Sequence, residues 1–202
     1  MVGPLRRLFT KDRSADPAAF TTFIGRQAAF VAQKSVLDYC RVKAGRQESL
    51  IFADPAFLAA LLHCRWQTFA ATAQDLVALA EAWLRPHALG HEAQLAKALA
   101  RLGQVALTAD RPPDEELETI AAATASLPRH LALLQLEPPH TAPTLPLLAE
   151  MPLLATLPIH PDQRRGETPA IRGALRFLVV SAQQEMERGF APDRLVGRLM
   201  ET

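Results

Sequence analysis

The chain has 202 residues, with 22 Lys or Arg against 21 Asp or Glu and a formal net charge of +1. Such a balance gives no general attraction for nucleic acid, and no charge-poor, proline-free apolar run approaches the roughly 20 residues needed to span a bilayer. A hydrophobic share of 49% supports a sizeable core, and the length fits one domain.

Residues 1–15 read as a loose basic segment. Arg6, Arg7, Lys11 and Arg13 surround Leu5, Leu8 and Phe9, and no apolar stretch follows that would make a signal peptide. Residues 1–13 fit a frayed terminus, with peripheral contact to an anionic membrane surface as the alternative.

Two long helices come next. Asp16 can cap a helix whose first position is Pro17, and Gly45 is its natural stop. Asp54 and Pro55 start a second, which Pro86 should end near Leu84. A loop of about 46–53 makes the pair an antiparallel hairpin. On the first helix, the apolar arc holds Phe20, Phe23, Ile24, Phe30, Val31 and Val42, with Ala28, Ala32, Gln33 and Lys43 opposite. On the second, the arc runs from Leu58 through Trp66 and Phe69 to Trp83, and places His63, Gln67, Gln74, Asp75 and Glu81 on the other side.

Within these arcs lies a polar stripe of Lys34, Asp38, Arg41 and Arg65. Asp38 is one carboxylate facing three cations. The excess predicts a cationic pocket between the helices, with Trp66 beside it, that takes a carboxylate, a phosphate or a partner's acidic side chain. The alternative is that these are structural edge charges with apolar stems on the core and wet heads.

A third helix is expected over about 91–107 and a fourth from Asp114 to near Ser126, ended by Pro128, with a short fifth over 128–136. From Pro138 to Pro161 there are seven prolines interleaved with leucines, which predicts an extended apolar strap over 138–168. Thr168 is expected to cap and Pro169 to open a helix that ends before Gly189, and a last short helix covers 192–200. Residues 1–44 carry eight cations against three Asp. Residues 110–137 carry six acids against two cations. The asymmetry implies contact between these regions or two different partners.

Catalytic signatures are missing. There is no phosphate-cradling glycine loop and no nucleophile elbow, and adjacent His63 and Cys64 point about 100° apart on a helix. His87 and His91 are weak metal candidates. The segment His91-Glu92-Ala93-Gln94-Leu95 starts like a zinc-protease motif but has Leu95 where the second histidine belongs. Cys40 and Cys64 form no C-x-x-C and read as reduced thiols of a cytoplasmic protein.

The expected fold is an all-α, single-domain bundle of five to seven helices. It centres on the long hairpin, with a helical core over 16–137, the strap, and residues 169–202 completing the same domain. The expected function is a non-enzymatic interaction or adaptor protein that binds another protein, without cofactor or nucleic acid. The alternatives are a binder of a small amphipathic anion, such as a fatty acid or lipid headgroup, and a helical metal-dependent enzyme.

Overall fold

A computed structural model describes residues 13–201. The expectations for residues 1–12 lie outside the described residues. Among the described residues the fold is an all-α bundle of seven helices, with one further four-residue α-helical turn and short 3-10 turns between them. The helices are α1 (Pro17–Ala44), α3 (Pro55–Leu84), α4 (Glu92–Leu107), α5 (Leu117–Leu134), α6 (Glu150–Thr156), α7 (Thr168–Gly189) and α8 (Pro192–Met200). The turn α2 (Glu48–Ile51) stands in the α1–α3 connection. Among the described residues no helix is long and apolar enough to cross a membrane. Among the described residues strand-like pairing is limited to one isolated bridge between Ser14 and Phe190.

The long helices begin as local chemistry dictates. The Asp16 carboxylate accepts from the N–H groups of Ala18 (3.0 Å) and Ala19 (3.3 Å), and Asp54 accepts from that of Ala56 (3.0 Å). Each satisfies donors that have no partner within the helix, ahead of a proline that has none to satisfy. Gly45 ends α1 with φ +50, a conformation an L side chain resists. α1 and α3 run antiparallel, with Arg65 meeting Gln33 across them.

α3 is the axis of the molecule and touches α1, α4, α5, α6, α7 and α8. From Ala70 to Ala82 every residue is buried, so this stretch has no solvent side. Its many alanines let neighbours approach closely. α4 does the same at Gly103, where a Cβ would press on the Leu127 side chain of α5 and lie 3.0 Å from Val77 Cγ2.

Three expectations about the elements need correction. No extended strap is seen: residues 138–168 include helix α6 and a 3-10 turn, Pro161–Arg164. Pro152 is tolerated as the third residue of α6, where the absent N–H has no intrahelical role. α5 also runs on through Pro128, as one helix instead of two. The missing N–H leaves the Thr124 carbonyl without its helical donor, and Gln104 Nε2 of α4 supplies one at 3.2 Å. Thr168 is the first residue of α7 and makes no capping bond.

The buried faces differ as well. α1 buries Ala28, Ala32, Ser35, Val36 and Cys40, whereas Phe30 is 54% and Val42 78% exposed. Phe20, Ile24 and Val31 of the expected arc are buried, and Ala28 and Ala32, expected opposite them, are buried too.

Candidate interaction groove

One side of α1 lines three hollows that share walls. The first, about 240 Å³, lies between the start of α1 (Pro17, Ala18, Thr21) and α4 (Ala98, Arg101, Leu102, Val105). The second, about 490 Å³, shares Ala18, Thr21 and Val105 with it and adds Gly25, Arg26, Ala29 and Asp110. The third, about 190 Å³, shares Ala29 and Asp110 with the second. It ends against Gln33, Leu62, Arg65, Trp66 and Phe69 of the α1–α3 interface. Phe69 borders both of the last two. Set side by side, they trace a channel along α1 from Pro17 to Gln33, about 24 Å at 1.5 Å per helical residue.

The channel exists because α1 carries Ala18, Thr21, Gly25, Ala29 and Ala32 along it. Gly25 lets α4 come close: a Cβ there would lie 3.5 Å from the Ala106 carbonyl oxygen. Trp66 and Phe69 stand edge to face, with ring centroids 5.5 Å apart, and close the far end. Val105 and Leu62 form partly exposed apolar walls.

Arg65 is the polar feature of that end. Its Nη2 donates to Gln33 Oε1 at 3.0 Å, while its Nε is buried and has no hydrogen-bond partner among the described residues. Arg26 and Arg101 are exposed and form no ion pair among the described residues.

The residues singled out in the sequence do not share one pocket. Arg65 and Trp66 line the groove end. Lys34 and Asp38 lie in a different hollow, of about 370 Å³, between α1 and α7, walled by Val42, Ile171, Phe177 and Leu178. They pair with each other at 2.6 Å, with side chains 45% and 51% exposed. Arg41 pairs with Glu48 at 3.3 Å on the surface. α1 turns these side chains to another side from the one that faces Arg65. Arg26 and Arg101 were missed. The small residues at 21, 25 and 29, spaced by four, were the signal for that side of the helix.

The charges truly inside the protein are acids on or against α3. Asp75 is fully buried and accepts from the N–H groups of Leu148 (2.8 Å) and Ala149 (3.1 Å) at the entry to α6. Burial pushes its carboxyl up from 3.8 to about 7, against the pull of those two bonds and of Arg176. Glu81 accepts from Arg85 Nε (2.9 Å), Arg85 Nη2 (2.6 Å) and Gln135 Nε2 (2.9 Å). Glu116 holds His63 Nδ1 at 2.5 Å and accepts from Gln67 Nε2 at 2.8 Å. Each fastens two elements together.

The acidic region 110–137 contributes Asp110 to the α1 groove. Its Glu115 and Glu118 border a separate hollow of about 700 Å³ between α3, α5 and α6. His130 lines that hollow, and burial holds its imidazole below the usual histidine range.

His87 ends a 3-10 turn and His91 precedes α4, with Gly90 at φ +81 between them, so they do not share a helix face. Among the described residues no three His, Cys, Asp or Glu side chains are grouped to hold a metal. Cys40 and Cys64 are free and buried. Burial pushes the Cys40 thiol up to about 12 and raises that of Cys64 as well, which makes both poor nucleophiles. No protein-family model matches the chain, and neither a curated protein nor a solved structure shows detectable similarity to it.

Proposed function

We propose that the protein is a helical interaction module, an adaptor that receives an amphipathic segment of a partner protein in the groove along α1. The observation that carries this reading is the succession of three hollows along α1, each sharing lining residues with the next. A groove of about 24 Å matches a partner helix of about 16 residues. Helix-in-groove recognition needs apolar walls and close backbone approach, and Leu62, Val105, Gly25 and Ala29 supply them. Two free buried thiols fit a reducing, cytoplasmic setting.

The test is selection from a displayed library of random 16-residue peptides. Ala29 is exposed and borders two of the hollows, so Ala29→Trp plugs the groove without entering the core. Val105→Lys obstructs it from α4. The expected peptides bind the unaltered chain and lose binding to both variants. Failure to enrich any peptide, or peptides indifferent to both variants, overturns the reading.

A second reading is favoured by half-buried Arg65 beside two aromatic rings: a small amphipathic acid pairs its carboxylate with the part of the guanidinium that faces the hollow and lays its tail against Trp66 and Phe69. Native mass spectrometry of the purified protein checks it. An adduct of a few hundred daltons that Arg65→Ala loses supports it, and a mass equal to the bare chain or a whole multiple of it opposes it.

A further inference from the structure

We infer that the partner segment is acidic as well as apolar, with carboxylates directed at Arg26, Arg65 and Arg101. The inference rests on the groove reading above. Three arginines line the channel against a single carboxylate, Asp110. Elsewhere, many cations have acidic partners: Lys34 has Asp38, Arg41 has Glu48, Lys43 has Glu167, Arg85 has Glu81, and Arg172 and Arg176 share Glu150. The three groove arginines have no such partner among the described residues. Asp110 forms no ion pair with any of them.

The three are also spread along the channel. Arg101 stands beside the first hollow, Arg26 beside the second and Arg65 at the closed end. An acidic helix laid along the channel meets them in succession. A single small anion meets only one. Half-buried Arg65, beside two aromatic rings, offers the most desolvated charge and is the anchor. Arg26 and Arg101, on the exposed rim, steer approach and set salt dependence.

The groove-dependent peptides selected above provide the measurement. The first readout is their composition, and the second is affinity by fluorescence polarisation. We expect enrichment in Asp and Glu. We expect affinity to fall about tenfold in Arg65→Gln and about tenfold in Arg26→Glu/Arg101→Glu, and to weaken as salt is raised. Thermal melts of both variants, unchanged from the parent, verify that the fold persists. Neutral or basic peptides that still lose binding to Ala29→Trp overturn the acidic partner and leave the groove reading standing. So do acidic peptides indifferent to both charge variants. Failure to select any groove-dependent peptide overturns both.

Discussion

α1 and the second half of α3 are both long, alanine-rich helices, yet they use polar residues in opposite ways. Between Ala70 and Ala82, α3 is covered on every side, and its acids Asp75 and Glu81 hold partners from other elements. Along α1 one face is core and the rest is open, so Lys34, Asp38 and Arg41 make surface pairs. A charge surrounded by protein must be matched, and its partners fix the geometry. A charge at the rim is nearly free to change. Freedom to change charge therefore belongs to the open side of α1, and architecture to the buried stretch of α3.

The sharpest way to break the contrast is Glu81→Ala. Its carboxylate is fully buried and the Arg85 side chain is 13% exposed, so the substitution strands a largely desolvated guanidinium. The expected loss of unfolding free energy is about 3–5 kcal/mol, read from urea denaturation.

Asp75 comes next and carries a pH signature. Its carboxyl sits at about 7 in the folded protein and at its ordinary 3.8 when unfolded. Between those values the unfolded chain loses its proton first. The contribution of this group is therefore complete below about pH 4 and is lost as the pH rises through about 7, to a total of at most about 4 kcal/mol. Asp75→Asn removes that slope and also turns an amide donor toward a backbone N–H, so its curve is flatter and lower. Urea midpoints measured across this range check both features. A parent protein whose stability climbs over the same interval, with the climb abolished in Asp75→Asn, contradicts the assignment.

The smallest effect is expected on α1. Lys34→Ala or Asp38→Ala removes an exposed pair four residues apart and is expected to change stability by less than about 0.5 kcal/mol. A loss of several times that would mean the stripe carries structure after all.

These differences explain what the sequence could and could not convey. Asp16-Pro17 and Asp54-Pro55 mark helix starts because capping is settled within three residues. Pro128 misleads because its compensation comes from Gln104, on another helix. Asp75 and Glu81 look solvent-facing because amphipathic reading assumes one wet side, and α3 has none there. In the candidate groove, Arg65 and Trp66 are legible as a cation beside an aromatic in the hairpin. Lys34, Asp38 and Arg41 lie on another side of α1, because its buried face takes Ala28, Ala32, Val36 and Cys40 together with Phe20, Ile24 and Val31 and leaves Phe30 and Val42 outside. Arg26 and Arg101 come together only through the α1–α4 crossing, which no local pattern encodes.

The connection between α5 and α6 shows one more consequence, in the order of events. Arg176 donates to the carbonyls of Ala142, Pro143 and Leu145, and Gln183 accepts from the N–H of Ala142. All of these partners stand more than 30 residues later in the chain. During synthesis this connection emerges before the helix that fastens it. Until α7 arrives, elements already made hold this connection at its two ends, through Arg85 on the Glu137 carbonyl, Glu81 on Gln135 and Asp75 on Leu148 and Ala149, so the shape of its middle is a late acquisition that waits on the C-terminal helices.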